Sequence, residues 1–106
     1  MRIRKTNTAD QEEILLIASC SDALAHPVRV ELFRYIYALN MERQSCCNKE
    51  LVEEFGYAQS TISQHMDKLS YSGLIDVRKK GTSAFYYVNL GVLQKYLSAV
   101  KKLNEL

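Results

Sequence analysis

Between residues 9 and 25, apolar side chains at Ile14, Leu15, Ile17, Ala18 and Leu24 cover more than one stripe of a helix. That is the pattern of a helix burying two faces, one of them free to meet a partner. The pair His26-Pro27 interrupts it, because a residue before proline is pushed out of the α region while proline suits the first turn of a new helix. From Pro27 to Asn40, the residues Val28, Leu32, Phe33, Ile36 and Leu39 recur three and four apart and form one continuous core stripe. Met41 to Cys47 reads as a polar connection. Asn48 then stands where an N-cap would open a short helix from Lys49 to Phe55, and Gly56 supplies a left-handed stop.

After the turn Gly56-Tyr57-Ala58, a helix is expected from Gln59 to Ser72, with Ile62, Met66 and Leu69 facing inward and Gly73 closing it. Two helices joined by a short glycine-containing turn outline a helix-turn-helix. Leu74 to Lys79 and Ala84 to Asn89 are rich in β-branched and aromatic residues and flank Lys80-Gly81-Thr82-Ser83, which predicts a β-hairpin. From Leu90 to Leu106, the residues Leu93, Tyr96, Leu97, Val100 and Leu103 return to helical spacing. Residues 1–8, with Arg2, Arg4 and Lys5, show no periodicity and read as a flexible basic arm, leaving residues 9–106 as one domain. The expected fold class is mainly α with a small β-hairpin (α+β), a winged helix-turn-helix.

Composition narrows the function. A chain of 106 residues, 47% apolar and 25% charged, builds a single packed core with no room for a separate catalytic domain. With 14 basic against 12 acidic residues, the net charge of +2 says little about nucleic acid, so the position of the positive charge must carry that case. The run Ile14 to Ala18 is too short to span a membrane and the first residues lack an apolar secretion segment, so a cytoplasmic protein is expected. Three cysteines, two of them adjacent at Cys46 and Cys47, suit reduced thiols better than a disulfide scaffold. Thiol catalysis would need an orienting base, and the histidines are His26, before a proline, and His65, on the helix expected from Gln59 to Ser72. An enzyme is therefore not expected.

The helix from Gln59 carries Ser60, Thr61, Ser63, Gln64 and Asp67 on the face opposite its apolar stripe. Short hydroxyl and amide side chains can reach base edges in a major groove, whereas a merely solvated face favours the stronger helix formers Lys and Glu. The alternative is that Ser60, Thr61 and Ser63 only cap and solvate a helix start. The basic hairpin beside them, Arg78, Lys79 and Lys80, favours DNA, since it can neutralise flanking phosphates.

The segments ALAHPVRVELFRYI, YAQSTISQHMDKLSYSGLI and KKGTSAFYYV, in that order and spacing, resemble the ArsR/SmtB family of small dimeric winged-helix transcriptional repressors. The resemblance runs from Ala18 to the end and is most specific from Gln59 to Ile75. It implies a homodimer with the first and last helices at its interface, bound to double-stranded DNA at an inverted-repeat operator. The DNA contacts it implies are Gln59, Ser60, Thr61, Ser63, Gln64 and His65 on the helix, with Lys79, Lys80 and Thr82 on the wing. The apolar residues Ile14, Leu15 and Ile17 near one end and Leu93, Leu97 and Val100 near the other agree with such an interface. Two departures stand out. Ala58 replaces the serine that usually caps the recognition helix, and His65 has a structural alternative as a satisfied group at a buried edge.

Relatives of this kind commonly sense metal ions or thiol chemistry. The last helix has no His, Cys or Asp and only Glu105 as an acid, which disfavours the family's zinc or nickel site. Cys46 and Cys47 lie near the family's thiolate site, although Asn48 occupies the usual place of its second cysteine. Exposed in a polar connection and close to a helix N-terminus, they would have lowered thiol pKa values. Trivalent arsenic or antimony takes three sulfur ligands, and Cys20 would be the third. Its alternative is a small buried hydrophobe in the pattern Ile17, Cys20, Leu24. The expected function is a sequence-specific repressor derepressed by an arsenite-like thiophilic metalloid or metal ion on these cysteines. The alternatives are a thiol-redox or persulfide switch, a winged-helix regulator without cysteine-based sensing, and an interaction module that has lost DNA binding.

Overall fold

The computed structural model describes residues 8–105. Residues 1–7 of the expected arm lie outside the described residues, and Thr8 already belongs to the first helix. The helices are α1 (Thr8–Ala23), α2 (Pro27–Met41), α3 (Asn48–Phe55), α4 (Gln59–Tyr71) and α5 (Leu90–Lys101), the last prolonged by a 3-10 turn at Lys102–Asn104. Strands β1 (Cys46–Cys47), β2 (Ile75–Lys80) and β3 (Ser83–Val88) form an antiparallel sheet in the order β1-β3-β2.

Several helix boundaries have a local cause. Pro27 occupies the first turn of α2, and the His26 ring accepts at Nδ1 from the Val28 amide at 3.1 Å. Gly56 ends α3 in the left-handed region at φ 73°, where a side chain would be strained. Asn89 caps α5 by accepting from the Val92 amide at 3.0 Å. The hairpin loop is shorter than the four residues expected: Gly81-Thr82 alone connect the strands. Gly81 sits at φ 61° and Thr82 does not share a positive φ, the pattern of a type II′ turn, which matches the twist of the strands.

Leu32 and Ile36 of α2, Leu51 of α3, Ile62, Met66 and Leu69 of α4, and Leu74 and Ile75 leading into β2 meet in one buried cluster. These are the stripes expected from the periodicity. The wing is tied to this body by Asn40, whose side chain accepts from the Val88 amide at 2.8 Å and donates to the Gln44 carbonyl at 3.1 Å. Helices α1 and α5 pack against each other and send Cys20, Ala23 and Leu93 into the core, while Ile14, Leu15, Leu97 and, on the 3-10 turn, Leu103 stay exposed at 57%, 69%, 49% and 57%.

Two expectations near residue 47 need correction. Cys46 and Cys47 are not an exposed polar connection but the short edge strand β1, with Cys46 opposite Tyr86 and Cys47 opposite Phe85. Asn48 is not the cap of α3. It is the first helical residue, Cys47 takes the cap position without a side-chain hydrogen bond, and the Asn48 side-chain oxygen Oδ1 accepts from the Ala84 amide at 3.4 Å. Sheet pairing with β3 outbids the local capping geometry, because it satisfies backbone groups of both strands.

Candidate nucleic-acid interface

Helix α4 packs against α3, α2, α1 and β2 with Ile62, Met66 and Leu69 buried, which leaves its opposite face open to solvent. Gln59, Ser60, Gln64 and Asp67 are exposed, while Thr61 and Ser63 are half-buried on the flanks of the Ile62 stripe. Ala58 occupies the cap position in an extended conformation (φ −62°, ψ 151°) with no side-chain hydrogen bond. The first turn of α4 thus lacks a side-chain cap, and its amides, at the positive end of the helix dipole, favour anions.

His65 differs from the other polar residues of α4. It is half-buried, its ring centroid lies 4.8 Å from that of His26, and its Nδ1 is 3.3 Å from a guanidinium nitrogen of Arg29. Burial, helped by the neighbouring His26 and Arg29, holds its pKa below the ordinary 6.5. Since arginine can only donate, Nδ1 accepts and Nε2 carries the ring proton.

On the wing, side chains alternate between faces. Arg78, opposite Phe85, and Lys80, opposite Ser83, share one face; Lys79, opposite Ala84, stands on the other. All three are exposed, and the Arg78 guanidinium lies 4.9 Å from the centre of the Tyr87 ring. A groove of about 280 Å³ lined by Asn48, Lys49, Val52, Gln59, Thr82 and Ser83 joins the starts of α3 and α4 to the wing tip. The sequence-predicted residues Gln59 and Thr82 therefore border one surface. Lys49 was missed as part of it; only its charge beside a helix start hinted at such a role.

The thiols are arranged differently from expectation. Cys46 and Cys20 are fully buried and Cys47 is half-buried. Successive strand residues face opposite sides, so Cys46 points into the core while Cys47 points away. Burial, then the nearby Glu50 and Cys47, push the Cys46 thiol up to about 12, the reverse of the activated thiolate expected from a helix N-terminus. The Cys20 thiol is also raised by burial, and its sulfur lies 3.8 Å from the Ser72 carbonyl oxygen. Among the described residues, no three His, Cys, Asp or Glu side chains are grouped to hold a metal ion. Because Cys46 and Cys47 face opposite sides of β1, a three-sulfur site shared with Cys20 would require the strand to rearrange.

Comparison with known proteins gives this geometry a family. The family described as bacterial regulatory protein, arsR family, matches residues 27–77, from the start of α2 into β2. An uncharacterised HTH-type transcriptional regulator of Methanocaldococcus jannaschii is 32% identical over 66 residues, covering 62% of this chain and 70% of that protein. The arsenical resistance operon repressor of Staphylococcus aureus is 31% identical over 58 residues, which are 55% of this chain and 56% of the repressor. The fold matches an ArsR-like transcriptional regulator from Rhodococcus sp. RHA1 at a TM-score of 0.71, with 20% identity, 87% of this chain and 82% of that one covered. It also matches a homodimeric winged helix-turn-helix DNA-binding domain from Mycobacterium bovis at 0.69, with 16% identity and coverage of 97% and 92%. With its helix pair and wing, the chain belongs to the ArsR family of winged helix-turn-helix, DNA-binding transcriptional regulators.

Proposed function

We propose that the chain is a homodimeric repressor of an inverted-repeat operator. In this reading Gln59, Ser60, Thr61, Ser63 and Gln64 meet base edges in the major groove, and Lys79, Lys80 and Thr82 meet the backbone on the flank. The observation that carries it is the continuity of the exposed start of α4 with the wing tip through the groove bordered by Gln59 and Thr82. The exposed Ile14 and Leu15 of α1, Leu97 of α5 and Leu103 of the 3-10 turn that follows supply the dimer face. Two recognition helices would then stand about one DNA turn apart, ~34 Å.

Selection from a random-sequence duplex pool tests this. The expected product is an inverted repeat with half-sites one helical turn apart, bound by a dimer. Recovery of no preferred sequence would sink the reading and favour an interaction module.

For the inducer, the likeness to the staphylococcal arsenical resistance operon repressor supports a thiophilic species such as arsenite acting on Cys46, Cys47 and Cys20. The burial of Cys46 and Cys20 favours the second reading, a winged-helix regulator without cysteine-based sensing. Gel-shift titration with arsenite separates them. Release from DNA by the wild type but not by a Cys46→Ser, Cys47→Ser double variant carries the first, and unchanged affinity carries the second. Peroxide- or polysulfide-driven release reversed by dithiothreitol would instead indicate a thiol-redox or persulfide switch centred on Cys47.

A further inference from the structure

Helix α1 ends at Ala23 with no basic residue in its last turn, so the negative end of its dipole and its final carbonyls need a partner from elsewhere. Arg29, on α2, supplies it. Its Nε donates to the Ala23 carbonyl at 2.7 Å and one terminal nitrogen donates to the Asp22 carbonyl at 3.3 Å. The other terminal nitrogen donates to Nδ1 of His65, in the middle of α4, at 3.3 Å. One planar guanidinium thus joins three helices, and its rigid fork transmits orientation in a way that a flexible ammonium cannot.

We infer that Arg29 is a positioning residue for operator recognition: it locks α4 to the C-terminal end of α1 and so sets the distance between the two recognition helices of the dimer. The inference rests on the proposed dimer, in which α1 lies at the two-fold interface. Any tilt of α4 against α1 is then applied twice, once in each subunit. One base pair is only about 3.4 Å of duplex, so a small tilt is enough to change the preferred spacing of half-sites.

Other links between α1 and α4 are weaker. The Lys68–Asp22 pair spans 3.8 Å between largely exposed side chains, a geometry that contributes little. Cys20 reaches the Ser72 carbonyl only at 3.8 Å and through a weak thiol donor. Arg29 and His65 form the directional contact.

The test uses the full chain and the duplex that the wild type selects from a random-sequence pool, together with the same duplex after one base pair is inserted or removed between half-sites. Wild type should lose about tenfold or more on either change, comparable to a mismatched base pair. Arg29→Lys, which keeps the charge but not the fork, should bind all three duplexes within about threefold of one another. His65→Leu, which removes the acceptor and leaves the bonds from Arg29 to α1, should do the same; it decides the matter if Arg29→Lys does not fold. A merely structural role would weaken binding equally on all three duplexes and preserve the wild-type ratio. That ratio in either folded variant overturns the inference. Wild type selecting a duplex without any spacing preference also overturns it, whereas selecting no duplex at all refutes the proposed function and the inference with it.

Discussion

Cys46 lies directly opposite Tyr86 across the β1–β3 ladder, and the two residues are 0% and 4% exposed. The pairing turns one of two adjacent cysteines into a core residue and leaves the other at the edge of the sheet. Reactivity should therefore separate along the pair. In the native protein at neutral pH, iodoacetamide should label Cys47, while Cys46 and Cys20 should react only after addition of denaturant; mass spectrometry of digests reads this directly. The same burial makes stability fall in alkali. Below the ordinary thiol value of 9.0 both states hold the proton, and between there and about 12 the unfolded chain loses it first. Rapid native labelling of Cys46 would contradict this packing.

His65 sets the opposite limb. Its pKa is depressed in the fold by burial, His26 and Arg29, so its contribution is fully present above 6.5. As pH falls through that value the unfolded chain takes up the proton first and stability drops. Denaturant midpoints measured from pH 7.5 down to 5 should decline in the wild type and less steeply in His65→Leu. Parallel curves would show that His65 is not the group responsible.

The cap of α4 is open at Ala58. A serine there can accept from an amide of the first turn, so Ala58→Ser should stabilise the protein by about 1 kcal/mol. For a domain of this size the gain is a rise of about 4–8 °C in melting temperature. An unchanged or lower Tm would mean that the helix start is already satisfied in another way.

Asn40 holds the wing to α2 through the Val88 amide at 2.8 Å. Asn40→Ala leaves that donor without its partner and should cost about 1 to 2 kcal/mol. Amide exchange should accelerate at Val88 and its neighbours in β3 before it does in α2. Equal acceleration throughout would indicate a global effect only.

Much of this architecture is local and so readable in one dimension. The stripe Leu32, Ile36 on α2 and the stripe Ile62, Met66, Leu69 on α4 are periodic, and Pro27 and Gly56 mark their own boundaries. The polar face of α4 is legible for the same reason. Strand β1 was not, because two residues carry no period and its partners Phe85 and Tyr86 lie almost forty residues away, so nothing nearby marks Cys46 as buried. Asn48 looked like a cap because its chemistry permits one, yet its side chain serves the Ala84 amide across the sheet. The contact from Arg29 to His65 likewise depends on how α2 and α4 pack.

In the proposed complex α4 reads bases while the wing lysines hold phosphate. The most direct measurement of this division is the salt dependence of binding by wild type, Gln64→Ala and Lys80→Ala on the selected duplex and on a scrambled one. Gln64→Ala should lower the preference for the selected duplex, by about 1–3 kcal/mol, and leave the salt slope unchanged. Lys80→Ala should weaken both duplexes alike and reduce the slope by about one. A Gln64→Ala variant with undiminished sequence preference, together with a Lys80→Ala variant with an unaltered salt slope, would contradict the account.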